Sequence, residues 1–129
     1  MKTLKKPFLT SLFILMIIGA CKKSGTGGDA QINIMVKHHE KLIPGASVYI
    51  KFGAKEFPGF NINEYDNHFI TGSSVEEYGK TKFVNLLKGD YYLYAIGFDS
   101  SIFETVTGGI YVKLSKNNEQ KTLDLPVTE

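Results

Sequence analysis

Three histidines stand out among the side chains that could do chemistry. His38 and His39 are adjacent, Glu40 follows them, and His68 comes later in the chain. Imidazole and carboxylate together suit zinc, and three such ligands plus a water make a catalytic centre. The spacing argues against one. Successive strand side chains point to opposite faces, so His38 and His39 should diverge, and the spacing of a zinc motif is missing. The expectation is two solvated histidines in a polar turn, with no metal and no cofactor. Glu64, Asp66, Glu76 and Glu77 could pair or hold calcium, but their spacing is not that of an EF-hand loop, so they read as solvated loop charge. Ser73, Ser74, Ser100 and Ser101 lack a nucleophile-elbow setting. Gly108-Gly109 has neither the lysine nor the following helix of a phosphate loop. No catalytic residue is expected.

Aromatic side chains offer a different chemistry. Tyr49, Phe57, Phe60, Tyr65, Tyr78, Tyr92, Tyr94 and Tyr111 could stack a sugar or a peptide, because aromatic rings give contact area at low entropic cost. Tyr92 and Tyr94 read as the second face of a sheet covered by loops. Phe60, Tyr65 and Tyr78 fall on loops and are the candidate ligand contacts, within a loop-rich stretch over 53–79. Nucleic acid is not an expected partner. All 15 basic residues are Lys, and the planar Arg fork that grips phosphate and guanine is absent from the sequence.

The elements that position these residues begin with an N-terminal leader. Lys2, Lys5 and Lys6 precede a 13-residue apolar run from Phe8 to Ala20. That length suits a signal-peptide core and falls short of the roughly 20 residues of a spanning helix. The run ends Ile18-Gly19-Ala20-Cys21, and Cys21 is the single cysteine of 129 residues. This segment resembles the lipobox of bacterial lipoproteins. The resemblance implies a cleaved signal helix over 1–20, cut between Ala20 and Cys21. It implies a diacylglycerol thioether on the Cys21 thiol and fatty chains such as palmitate in the membrane lipid. One chain holds weakly and two or more hold firmly. Lys22, where an Asp would favour the inner membrane, points to the outer membrane of the envelope. Residues 21–29, rich in Gly, Ser and Thr, read as a flexible tether. Loss of the leader removes three of the 15 lysines and leaves 12 against 13 acidic side chains, a net of −1, so the domain has no field to steer polyanions.

Residues 30–129 read as short strands. Ile32, Ile34 and Val36 alternate with Gln31, Asn33 and Lys37; Val48, Ile50 and Phe52 alternate with Tyr49 and Lys51; Tyr91, Leu93 and Ala95 alternate with Tyr92, Tyr94 and Ile96. Thr81–Gly97 reads as a hairpin turning at Lys88-Gly89-Asp90. Gly108-Gly109 reads as a break before a strand carrying Ile110, Val112 and Leu114. Glu119–Leu125 is the last strand. Seven strands without a convincing helix predict an all-β fold, a single antiparallel Greek-key β-sandwich.

The run Ile43-Pro44-Gly45-Ala46-Ser47-Val48, then Thr71-Gly72, then Gly79 and Phe83, then Leu86 or Leu87, then Gly89-Asp90-Tyr91-Tyr92-Leu93, resembles the carboxypeptidase regulatory-like, transthyretin-like sandwich. The resemblance implies a small accessory domain on envelope proteins, immunoglobulin-like in architecture, and carries no catalytic residue. The transthyretin-like fold also hosts a ureide hydrolase, but the Tyr-Arg-Gly-Ser end that enzyme needs is replaced here by Leu125-Pro126-Val127-Thr128-Glu129. The functional expectation is a non-catalytic lipid-anchored module with a protein or glycan partner. The alternatives are a subunit of a surface assembly that offers a sheet edge, and a small hydrolase.

Overall fold

The structure, a computed structural model, describes residues 23–129. The leader, the Ala20–Cys21 cleavage point and the Cys21 lipidation site lie outside the described residues. Eight strands follow one another: β1 (Thr26–His38), β2 (Lys41–Leu42), β3 (Ser47–Phe52), β4 (Asn67–Ile70), β5 (Lys80–Leu86), β6 (Gly89–Asp99), β7 (Glu104–Leu114) and β8 (Gln120–Pro126), with one 3-10 turn at Ile62–Glu64.

Alternation builds the core. Ala30, Ile32, Ile34 and Val36 of β1 face Val48 and Ile50 of β3, and Tyr91, Leu93 and Ala95 of β6, within one buried cluster. Burying each Ile or Leu contributes about 1.5–3 kcal/mol. The first sheet is organised on β1, which pairs antiparallel with β5 and, at its end, with β2. β8 runs parallel along β1 from Gln31 to Lys37, so β5 and β2 share the opposite edge. The second sheet has the order β4-β3-β6-β7 and is antiparallel throughout. The two sheets form the expected immunoglobulin-like β-sandwich. Its out-of-sequence neighbours, β3 beside β6 and β1 beside β8, give the Greek-key character. Among the paired strands of the described residues, β1–β8 is the one parallel pair.

Three local features differ from expectation. Thr81–Gly97 is not a hairpin: β5 belongs to the first sheet and β6 to the second, so the chain crosses the core between them. Asn85 explains the crossing. Its left-handed backbone (φ 56°) makes a bulge in β5, and after it Leu87 N–H bonds Gly25 O at 2.8 Å, on the first sheet's side. The hairpin partner of β6 is β7, in register from Gly89–Leu114 to Asp99–Glu104.

Gly108-Gly109 does not interrupt β7. A side chain at Gly108 would strike the Pro126 carbonyl, and one at Gly109 would sit 2.7 Å from the Tyr92 ring. The glycines mark close approach rather than a break. They let Thr107 and Thr128 exchange backbone hydrogen bonds of 2.8 Å.

β1 also starts at Thr26, so the sandwich takes up residues that read as tether. Ser24 Oγ accepts from Asp90 N–H at 3.0 Å, and Gly25 N–H donates to the Tyr91 hydroxyl at 2.9 Å. The Pro44-Gly45 turn is locked by Thr71. Its buried hydroxyl accepts from Ala46 N–H and donates to Ile43 O, both at 2.8 Å.

Candidate functional site

Two groups of side chains could carry function. The first is aromatic and lies on the outer face of the β4-β3-β6-β7 sheet. On β6, Tyr92 and Tyr94 alternate outward while Tyr91 and Leu93 alternate inward. The 53–66 loop folds over that outward face. Two contacts tie it to β3, Phe52 N–H donating to Asp66 Oδ2 at 2.7 Å and Lys51 Nζ to Glu64 O at 2.7 Å, and the Tyr65 hydroxyl braces the loop internally by donating to Gly59 O at 2.9 Å.

Phe57 then lies 5.3 Å from Tyr94 and 5.9 Å from Tyr92, and Phe60 packs edge-on to Phe57 at 5.0 Å. Tyr65 stacks on Tyr94 at 6.0 Å and meets Tyr49 at 5.8 Å. Burial, with Tyr94, Tyr92 and Glu64 nearby, pushes the Tyr65 hydroxyl up to about 12. Tyr94 is buried beneath this layer, as a loop-covered second face requires, whereas Phe60 is 77% exposed at its rim. Phe60 and Tyr65 are therefore brought together. Tyr78 is not. It lies beside Lys41, Leu42, Pro44, Phe98 and Asp99 in a shallow pocket at one end of the sandwich. His68 stacks on Tyr49 at 5.3 Å.

The second group is polar and closes that same end of the core. His38 is the last inward position of β1, in phase with Ile32, Ile34 and Val36. Asp99 is the last inward position of β6, in phase with Tyr91, Leu93 and Ala95. Each is only 3% exposed. His38 Nδ1 donates to Asp99 Oδ2 at 2.8 Å, and His38 Nε2 lies 2.6 Å from Glu129 Oε2. Asp99 also accepts from Ser101 N–H at 2.9 Å and Lys41 Nζ at 3.4 Å.

The Asp99 hydrogen bond, helped by Glu129, raises the His38 pKa above its ordinary value against the opposing effect of burial. The His38 hydrogen bond, followed by the Ser101 hydroxyl, holds Asp99 well below the usual carboxylate range. Glu129 is lowered as well, by its own backbone N–H and then by His38.

The expectation that His38 and His39 diverge is corrected here. His39 (φ 45°) and Glu40 (φ 62°) form a two-residue turn in the left-handed region, closing the His38–Lys41 pair. That turn swings His39 back, and the two imidazole rings lie 4.3 Å apart. Ligand atoms of His38, His39 and Glu129 all fall within 4.8 Å of one another, the one such group among the described residues. Glu40 and His68 do not join it. Asp99 and Glu129 escaped sequence analysis because they lie 61 and 91 residues from His38. For Asp99 the available signal was phase, a charged residue at the inward position of an apolar alternation.

Together the two sheets and these groups define a small immunoglobulin-like β-sandwich. No protein-family model matches the chain and no curated protein matches it. Among solved structures, the chain is similar to a variant of the major pilin subunit of Bacillus cereus at 16% identity and a TM-score of 0.48, over 81% of this chain and 30% of the pilin. The chain thus spans under a third of that pilin's length. No helix among the described residues is long and apolar enough to cross a membrane.

Proposed function

We propose that this protein is a non-catalytic lipoprotein of the bacterial envelope whose sandwich presents an aromatic surface to a glycan or peptide. The observation that carries the binding role is the contiguous layer of Phe57, Phe60 and Tyr65 over Tyr92 and Tyr94, supplied by loop 53–66 and open to solvent at Phe60. Flat rings on a rigid sheet suit the apolar face of a sugar or an extended chain. The leader and lipobox supply the proposed anchor. Ser24 is already bonded to the domain, and it follows Cys21 by three residues. At about 3.5 Å per residue, an acylated Cys21 would hold the Tyr91 end of the sandwich within about 10 Å of an outer-membrane surface. Placement among the carboxypeptidase regulatory-like sandwiches is supported by the structural work of the residues behind the resemblance: Gly45 (φ 68°) and Gly79 (φ 69°) make turns, and Phe83, Leu86 and Tyr91 fill the core.

The detergent-solubilised full chain, screened against envelope glycans and extended peptides, should bind one class. Phe60→Ala, at an exposed ring, should weaken that binding at least tenfold and leave the melting temperature unchanged. Binding that survives both Phe60→Ala and Tyr65→Ala, or no binding to either class, would refute the aromatic site. Cys21→Ser should move the protein from the membrane to the soluble fraction, and full membrane retention would refute the anchor.

A further inference from the structure

We propose that His38, His39 and Glu129 form a binding site for a divalent transition metal of the zinc class, oriented by Asp99. The donor atoms already converge within 4.8 Å. In a tetrahedral site with bonds of about 2.0–2.1 Å, neighbouring donors stand about 3.3 Å apart. The gap closes by movement of His39 and Glu129, both exposed, about a fixed His38.

The surroundings of His38 are those of a ligand. A metal-bound histidine usually gives its other ring N–H to a carboxylate, which sets the tautomer and ring orientation. Here the buried Asp99 takes Nδ1–H, and Nε2 is turned outward toward Glu129. Asp99 is in turn held by Ser101 and Lys41. It is a positioning residue and lends no ligand atom.

The backbone of the turn is what brings the two imidazoles together. His39 and Glu40 occupy left-handed conformations in a hairpin turn that ordinarily takes Asn-Gly. Strain of this kind concentrates where function over-determines geometry, and here it is what sets His39 against His38. Two imidazoles and a carboxylate favour zinc, nickel or copper over magnesium or calcium, and leave a fourth position for water.

Loading is balanced by a proton. The cation takes the Nε2 lone pair, and a proton carried on Nε2 leaves to solvent. Glu129 moves from hydrogen-bond acceptor to metal ligand. The charged and titratable groups that face His38 are Asp99, Glu129 and His39, with Lys41 bonded behind Asp99.

The untagged full chain in detergent is equilibrated with zinc chloride, and metal content and affinity are measured by elemental analysis and calorimetry. One zinc per chain is expected. Asp99→Asn should weaken binding by about 10–100-fold. The double change His39→Ala with Glu129→Gln should weaken it further and leave the circular dichroism of the metal-free protein in place. Those two residues are exposed, so the test does not depend on a buried variant folding. Less than one zinc per chain, or zinc retained by the double variant with unchanged affinity, would overturn the assignment.

Discussion

Each end of this sandwich is closed by a buried polar group, and the two closures are built on different physics. At one end the Tyr91 hydroxyl lies fully buried between Gly25 N–H at 2.9 Å, Gly25 O at 3.1 Å and Leu87 O at 2.5 Å. Every partner is backbone and every partner is neutral. At the other end an imidazole lies between two carboxylates, with an ammonium group behind one of them. A neutral hydroxyl ties strands together without dependence on pH across the neutral range, since burial raises the Tyr91 pKa above its ordinary value. A buried charge cluster loses much of its Coulomb gain to desolvation and is weak evidence for stability. The comparison separates a fastening from a site: the Tyr91 end holds the fold, while the His38 end keeps groups whose value lies in binding.

Removing one partner at the His38 end should still give the largest effect, because it leaves a buried charge uncompensated even where the intact cluster adds little net stability. His38 is raised above 6.5, so its stabilising contribution is complete below about pH 6.5 and is lost as pH climbs through the raised value. Asp99 is lowered from 3.8, so its contribution is complete above about pH 3.8 and is lost as pH falls through the lowered value. The pair therefore stabilises most between those limits, and the folded state should weaken on the alkaline side of neutrality. Asp99→Asn should lower the urea midpoint at pH 6 more than any change at the Tyr91 end, and should flatten that alkaline decline. Midpoints collected from pH 4 to pH 9 decide it. A variant that retains the full alkaline slope would show that His38 is not the group responsible.

Tyr91→Phe should give the next largest effect, and one of a different kind. It leaves the Gly25 N–H and the Leu87 carbonyl buried without their partner, at a cost of about 1–3 kcal/mol. No ionised group is involved, so the loss should be the same at pH 5 and pH 8. Amide exchange at Gly25 and Leu87 should speed up while exchange in β6 and β7 follows only the global change. A loss that grew with pH would erase the distinction between the two ends.

What could be read in advance follows the same division. The inward faces of β1, β3 and β6 were legible because apolar residues recur every second position and burial rewards that period directly. Phe60 and Tyr65 were legible as aromatics on a loop, although their convergence over Tyr94 needed the fold of 53–66. The assignment of β5 and β6 to different sheets was not legible. Lys88-Gly89-Asp90 looks like a hairpin turn, and the left-handed Asn85 that redirects the chain is one residue type among several that turns tolerate. Gly108-Gly109 misled for a related reason: two glycines in sequence signal a break, and only the Pro126 carbonyl and the Tyr92 ring pressed against them explain them as part of a strand. The His38 cluster was hidden twice, by the distance in sequence to Asp99 and Glu129 and by a turn conformation that defeats the rule that adjacent strand residues point apart.

The smallest expected effect bears on the turns that serve the two ends. At the Tyr91 end the chain uses Gly89, with φ 144° and Ser24 packed where a side chain would go. That position is already relaxed. At the His38 end the corresponding turn carries His39 and Glu40 in the left-handed region, which costs L-residues roughly 1–2 kcal/mol each. Glu40 is exposed and supplies no donor to the proposed metal site. Glu40→Gly should therefore raise the urea stability by about 1 kcal/mol, part of the relief being lost to the added freedom of the unfolded chain. If the strained turn is what holds His39 against His38, the same substitution should also lower zinc affinity, although every ligand remains. A gain in stability with unchanged zinc affinity would mean that the ring pair is held by contacts other than the turn. No gain at all would mean that the two turns do not differ in strain.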